Sequence, residues 1–130
     1  MPVYPSALAR IARGNFNWEH TPVEALLVGT TSKYERSHTL VSDIKGELSD
    51  GTRVKLTDKS VTDDGVSRVV YNADNAVFSS QVAGQSVGAC VIYEAGTYAL
   101  IAFVEGSTIP TDGANVTVSL SSGIFGLSYA

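Results

Sequence analysis

Residue types that build chemical sites are scarce in this sequence of 130 residues, which has one cysteine, Cys90, and two histidines, His20 and His38. A single cysteine cannot form an intramolecular disulfide, and neither histidine has a second histidine or a cysteine at a zinc-ligand spacing. Cys90 lies in the apolar run at residues 87–92, which predicts a buried, inert thiol. We therefore predict no catalytic residues, no metal site and no cofactor.

Positive charge and long apolar runs are also scarce. Nine Lys and Arg residues stand against 13 Asp and Glu, giving a net charge of -4, and the basic residues are scattered. Nucleic-acid binding requires clustered basic residues, so we expect no nucleic-acid partner. No run approaches the roughly 18 apolar residues of a membrane span. Residues 1–5 lack the basic start and apolar stretch of a signal peptide, so we expect synthesis in the cytoplasm and no membrane association.

The first element that the sequence predicts is a short helix over residues 6–13. Ser6 is the expected N-cap, Leu8 and Ile11 lie on its apolar face, and Gly14 ends it. A helix of two turns is marginal by itself, so it must pack on its own domain or on a neighbouring subunit.

Two short patterns predict turns between strands. The pair Asp50 and Gly51 indicates a hairpin that joins residues 46–48 to residues 52–57. The Asp-Asp-Gly sequence at residues 63–65 predicts a second turn between strands.

Two near-continuous apolar runs, at residues 87–93 and 98–104, are joined by a turn at residues 94–97. This pattern predicts a hairpin that is covered on both faces and forms the centre of the core. The least regular segment covers residues 30–43. One interpretation is a helical turn capped by Ser37 that carries Leu40, Val41 and Ile44 inward.

The composition, 44% hydrophobic and 17% charged with 12 glycines, is that of a chain that folds around a core with many turns. We predict a mostly β fold, an antiparallel β-sandwich or jelly roll with a short N-terminal helix or arm. Residues 1–18 are predicted to form the arm and helix, and residues 19–130 a single β-sandwich domain.

Aromatic residues are concentrated in the N-terminal third. They suggest either core packing or a surface for a protein or a carbohydrate. Phe16 and Trp18 fit a core or seam, whereas Tyr4, on an arm flanked by prolines, is the better candidate for contacting a partner. The predicted partner interface comprises five residues of this segment: Tyr4, Leu8, Ile11, Phe16 and Trp18.

Several features occur in a recognisable order. Residues 8–14 precede Phe16-Asn17-Trp18, residues 25–27 end a strand, and the apolar runs of the later hairpin and residues 116–124 follow. In these features the chain resembles small structural proteins of tailed-phage virions, which include head decoration and cement proteins. The resemblance spans nearly the whole chain, although Ser-Asp-Gly-Thr-Arg at residues 49–53 replaces a glycine-rich, tyrosine-containing stretch.

The resemblance implies a β-sandwich located in the virion, with no enzymatic role. It predicts a capsid decoration (cement) protein that binds the major capsid protein or another virion structural protein and forms a homo-oligomer. A tail, neck or fibre-associated structural protein is one alternative. A carbohydrate- or surface-binding module that uses Trp18 is another.

Overall fold

The structure, a computed structural model, describes residues 3–48, 52–121 and 123–128, and strands account for 42% of it against 9% helix. The described residues form one α-helix, one 3₁₀ turn and nine β-strands. These are α1 (Pro5–Ala12), β1 (Val23–Gly29), the 3₁₀ turn (Val41–Asp43), β2 (Arg53–Lys55), β3 (Ser60–Asp63), β4 (Arg68–Asn72), β5 (Ala76–Phe78), β6 (Ser86–Glu94), β7 (Leu100–Pro110), β8 (Val116–Val118) and β9 (Phe125–Ser128).

The strands form three sheets, with orders β2-β1-β6-β7, β3-β4-β9 and β5-β8. Every pairing between these strands is antiparallel. The prediction of a mostly β, antiparallel fold with one short N-terminal helix is confirmed. The jelly-roll alternative is not confirmed.

The four-stranded sheet is buried on both faces. On β6, Cys90 and Ile92 face the larger hydrophobic core, whereas Val91 and Tyr93 face a second, smaller core. Side chains alternate between the faces of a strand, so a sheet that is covered on both sides requires an uninterrupted apolar run. The predicted β6–β7 hairpin at the centre of the core is confirmed.

Different parts of the chain cover the two faces. The two smaller sheets and the segment after β8 cover the larger core with side chains that include Phe78, Leu120 and Phe125. Residues 30–45, here called the strap, cover the second core, onto which Tyr34 and Ile44 pack. The sandwich therefore consists of the main sheet and the smaller sheets, with the strap closing the outer face.

The N-terminal helix begins one residue earlier than predicted. Tyr4, not Ser6, is the N-cap, and Pro5 occupies the first turn, where its fixed φ and missing N–H suit a helix start. The Tyr4 N–H donates to the Ile101 carbonyl oxygen at 2.8 Å, which ties the helix start to β7. Gly14, with φ of 75°, lies just past the helix, so the predicted stop is confirmed.

The predicted arm packs on the domain. Val3 forms an antiparallel bridge with Ala102 of β7, and α1 packs against the same strand. The described part of residues 1–18 therefore belongs to the same hydrophobic core as the sandwich.

The predicted turn at residues 50–51 lies outside the described residues. The prediction that the segments on either side of it pair with each other as a hairpin is wrong. Glu47 pairs with Val28 of β1, and Arg53 pairs with Leu26 of the same strand. The two flanking segments therefore lie along β1 and not along each other. A turn signal acts over four residues, whereas pairing with a long buried strand also brings apolar side chains of both segments into the core.

Candidate interaction surface

Three of the five side chains predicted to contact a partner lie in the core. Tyr4 has 0% of its surface exposed and Trp18 has 2%, and Phe16 is also buried. Tyr4 packs on Tyr34 of the strap with ring centroids 5.0 Å apart. A side chain without accessible surface cannot contact a partner in this conformation, so the prediction is corrected for Tyr4, Phe16 and Trp18.

Trp18 is held from several sides. Its ring packs edge-on against Tyr71 and Phe125 at centroid distances of 6.1 and 5.9 Å. Its Nε1 donates to the Asn72 carbonyl oxygen at 2.9 Å, which satisfies the indole N–H inside the protein. A carbohydrate platform on Trp18 is therefore excluded in this conformation.

Leu8 and Ile11 are the two predicted interface residues that keep some accessible surface. Both are half-buried on α1, and Ile11 packs against the larger core. Contact between these side chains and a partner stays a prediction.

A more exposed apolar surface lies where the strap meets the β6–β7 turn. Leu40 is 44% exposed and Tyr98 is 49% exposed. They border a groove of about 350 Å³, here called the strap groove. Its lining consists of three strap residues, one residue of β2 and two of the β6–β7 turn: Leu40, Val41, Ser42, Arg53, Thr97 and Tyr98.

The strap side of the groove is fixed by backbone hydrogen bonds. The Val41 N–H donates to the Tyr98 carbonyl oxygen at 2.9 Å, and Leu40 forms an antiparallel bridge with Ala99. The Asp43 carboxylate accepts the N–H groups of Thr39 and Leu40 at 3.0 and 3.1 Å. These two hydrogen bonds lower the pKa of Asp43, so its carboxylate stays ionised near neutral pH.

The predicted helical turn of the strap is present, but it is a 3₁₀ turn over Val41–Asp43 and its N-cap is Leu40, not Ser37. Val41 and Ile44 pack toward the second core as expected. The prediction that Leu40 points inward is wrong, because its side chain points into the groove.

The turn side of the groove is braced in a similar way. The Tyr98 N–H donates to the Glu94 carbonyl oxygen at 2.9 Å, and the Thr97 hydroxyl donates to the Glu94 carboxylate. Arg10 of α1 donates to the other oxygen of that carboxylate at 2.6 Å, in a partly buried ion pair. Helix α1 is thereby linked to the turn that carries Tyr98.

Tyr98 has a backbone φ of 60°, which is rare for a bulky residue. Its ring stacks on Tyr93, with centroids 6.0 Å apart and planes 19° apart. The Arg53 guanidinium lies 5.6 Å from the centre of the Tyr93 ring. Two charge-assisted hydrogen bonds of 3.0 and 2.9 Å join it to Glu47. The aromatic rings and the cation are therefore held in place before any partner binds.

The groove places the exposed Tyr98 beside the exposed Arg53, and Tyr and Arg are residue types that are enriched in protein-binding hot spots. The groove can bind an apolar side chain, whereas the Arg53 guanidinium is already paired with the Glu47 carboxylate. Sequence reasoning placed Leu40 in the core and did not single out Tyr98. A tyrosine gives no sequence signal for a positive φ, and Tyr98 belongs to the run assigned to the buried strand.

Cys90 is buried as predicted, and desolvation raises the pKa of its thiol to about 12. Among the described residues, no group of three or more His, Cys, Asp or Glu side chains is arranged to hold a metal. No helix in the described ranges has the length and hydropathy needed to cross a membrane. Comparisons with protein-family models, curated sequences and solved structures found no match to this chain.

Proposed function

We propose that this chain is a non-enzymatic structural protein of a tailed-phage virion, specifically a decoration (cement) protein of the capsid shell. The sequence resemblance, which spans nearly the whole chain, supports the virion assignment. The mostly β, antiparallel fold agrees with the sandwich that the resemblance implies. The strap groove is the proposed surface through which the chain docks onto another protein of the particle.

The observation that carries the proposal is the rigidity of this exposed groove. Its two sides are fixed by backbone hydrogen bonds, and Val41 in its lining packs against the second core. A surface that is ordered before docking loses little conformational entropy on binding. This property suits a protein that must stabilise a shell through many small contacts.

The first test is quantitative mass spectrometry of purified virions from the source, with copies of this chain counted relative to the major capsid protein. Copy numbers comparable to the capsid protein are expected for a shell-covering protein. A handful of copies per particle would transfer the chain to the neck or tail, and its absence from the virion would overturn the proposal.

The second test measures occupancy on shells prepared without the chain, to which purified variants are added back. Tyr98→Ala is expected to weaken binding by at least about tenfold, since truncation of a central aromatic contact commonly has that effect. Val77→Ala is the matched control, because Val77 is similarly exposed but lies on β5, outside the groove. Equal binding by wild type and Tyr98→Ala would exclude the groove as the docking surface.

Leu8→Ser tests the remaining helix prediction in the same assay. Deleting residues 4–18 would not serve this purpose, because the deletion removes Trp18 and other core side chains. A single substitution that leaves the core side chains in place separates a lost contact from a lost fold.

A further inference from the structure

We propose that Arg10 is a positioning residue for the strap groove, because its ion pair with Glu94 holds the β6–β7 turn in the conformation that presents Tyr98. This inference rests on the proposed function in taking the groove as the docking surface, and it identifies what keeps that surface assembled. Arg10 itself is not among the groove-lining residues, so its effect on docking passes through Tyr98.

Every polar group of Glu94 takes part in connecting the turn to helix α1. The Glu94 N–H donates to the Ala99 carbonyl oxygen at 2.8 Å, and its own carbonyl oxygen accepts the Tyr98 N–H at 2.9 Å. One carboxylate oxygen accepts the Thr97 hydroxyl, and the other accepts an N–H from Nη2 of Arg10 at 2.6 Å. The side chain that braces the turn is therefore itself held by the helix.

This ion pair is more enclosed than a surface salt bridge. The side chains of Arg10 and Glu94 keep only 20% and 11% of their surface exposed. The guanidinium lies 5.1 Å from the centre of the Phe16 ring, and its Nη1 is buried without a hydrogen-bond partner in the described part of the chain. Removing either charge leaves the other one partly buried and unpaired, which is far more costly than breaking an exposed pair.

Tyr98 needs such a brace because its backbone lies in the left-handed region, with φ of 60°. A bulky residue keeps this conformation only where surrounding contacts enforce it. In this conformation the Tyr98 carbonyl oxygen accepts the Val41 N–H at 2.9 Å, and the ring stacks on Tyr93. We therefore expect a relaxed turn to loosen the strap side of the groove as well.

Helix α1 is a fixed support for Arg10. The Tyr4 N–H at its start donates to the Ile101 carbonyl oxygen at 2.8 Å, and Val3 bridges Ala102. Both partners lie at the beginning of β7, directly after the turn. Helix, turn and strand thus form a closed set of contacts, in which the Arg10 ion pair is the link between helix and turn.

The first test is native-state amide hydrogen exchange of the purified full-length chain, followed by nuclear magnetic resonance. Arg10→Met removes the charge but keeps an unbranched apolar side chain. The Tyr98 and Val41 amides are expected to exchange at least about tenfold faster in this variant, because both hydrogen bonds depend on the turn. The reference is the Ile124 amide, which donates to the Tyr71 carbonyl oxygen in a different sheet and is expected to change less.

Three further variants separate positioning from a general loss of stability. Arg13→Met makes the same substitution at an exposed residue at the end of the same helix, and it should leave the Tyr98 amide unchanged. Val116→Ala removes core packing on β8, so it should accelerate the reference amide at least as much as that of Tyr98. Arg10→Lys keeps a cation that can pair with Glu94, and it should restore part of the protection.

Two results of the exchange experiment would overturn the proposal. Equal acceleration of the Tyr98 and Ile124 amides in Arg10→Met would mean that Arg10 only supports overall stability, and unchanged Tyr98 exchange would mean that it does not hold the turn. Glu94→Gln completes a double-mutant cycle with Arg10→Met. The double variant should accelerate Tyr98 exchange by less than the product of the single effects, because both changes remove one ion pair; a full product would contradict the proposal.

The shell occupancy assay connects the ion pair to docking. Arg10→Met is expected to weaken binding by about tenfold, as Tyr98→Ala does. The double variant should bind no more weakly than Tyr98→Ala alone, because Arg10 acts through Tyr98. Multiplicative losses would show that Arg10 affects the shell by another route, and would overturn its positioning role.

Failure of this inference is distinguishable from failure of the proposed function. If Arg10→Met accelerates the Tyr98 amide selectively but wild-type protein does not bind shells, the decoration function fails while the ion pair still positions the turn. If shells bind the wild type but Tyr98 exchange is unchanged in Arg10→Met, the decoration function stands and the positioning role fails.

Discussion

Replacing Trp18 with alanine measures what the aromatic cluster contributes to stability. A buried aromatic side chain removes about 150–250 Å² from water, which at about 25 cal/mol/Å² corresponds to about 4–6 kcal/mol. Denatured chains already bury part of that surface, so the expected loss in the free energy of unfolding is about 3–5 kcal/mol. Trp18→Phe keeps an aromatic ring but loses the Nε1 hydrogen bond to Asn72, and it should cost about 1–2 kcal/mol.

The assay is urea unfolding followed by far-ultraviolet circular dichroism, because Trp18 is the only tryptophan and its fluorescence disappears in the variants. Leu8→Ala is the control, since Leu8 is half-buried and lies outside the two main core clusters. It should change stability by less than about 1 kcal/mol. A loss below about 1 kcal/mol for Trp18→Ala, with an unchanged denaturant slope, would refute the core assignment and restore Trp18 as an interface residue.

Three further predictions concern packing, pH and thiol reactivity. A Cβ at Gly88 would lie 2.7 Å from the Gly29 carbonyl oxygen, so Gly88→Ala should cost about 1–3 kcal/mol in urea unfolding. Gly29→Ala is the control, because its nearest new contact is 3.7 Å away; equal losses would contradict the steric account. A side-chain hydrogen bond with Asp58 and the charge of Asp58 raise the pKa of Asp74, so the stability that this carboxyl contributes is present at low pH and lost as pH rises through the folded-state pKa. Asp74→Asn should therefore raise the melting temperature at pH 7 more than at pH 3, and calorimetry showing a decrease at pH 7 would disprove the repulsion. Burial raises the pKa of the Cys90 thiol to about 12, so Cys90 should react with a thiol reagent at pH 8 only after denaturant unfolds the chain. Labelling of the native protein at the rate of a free cysteine would contradict this prediction.

Much of the fold followed from local patterns. The two apolar runs that supplied most of the buried part of β6 and β7 favour strands covered on both faces, because their side chains are apolar whichever face they take. The turn at residues 63–65 and the helix stop at Gly14 depend on backbone preferences of Asp and Gly, which act within a few residues. Such features are predictable because their causes are short-range.

Predictions failed where distant segments compete. The Asp-Gly pair at residues 50–51 suggested a hairpin, but pairing with β1 sets the positions of Glu47 and Arg53. Ser6 is the better N-cap by propensity, yet Pro5 and the hydrogen bond from Tyr4 to β7 start the helix earlier. In both cases a tertiary contact outweighs a local preference of about 1 kcal/mol.

The sequence by itself determined the β class, the central hairpin, the buried cysteine and the short N-terminal helix. Composition and periodicity were sufficient there because they indicate which side chains are buried in local secondary structure. Only the tertiary structure decided which apolar side chains stay exposed. Tyr4 and Trp18 became core residues because the strap and the smaller sheets cover them, while Leu40, Tyr98 and Val66 stayed at the surface because no described segment covers them. Burial depends on which segment packs over a side chain, and that is a property of the assembled fold.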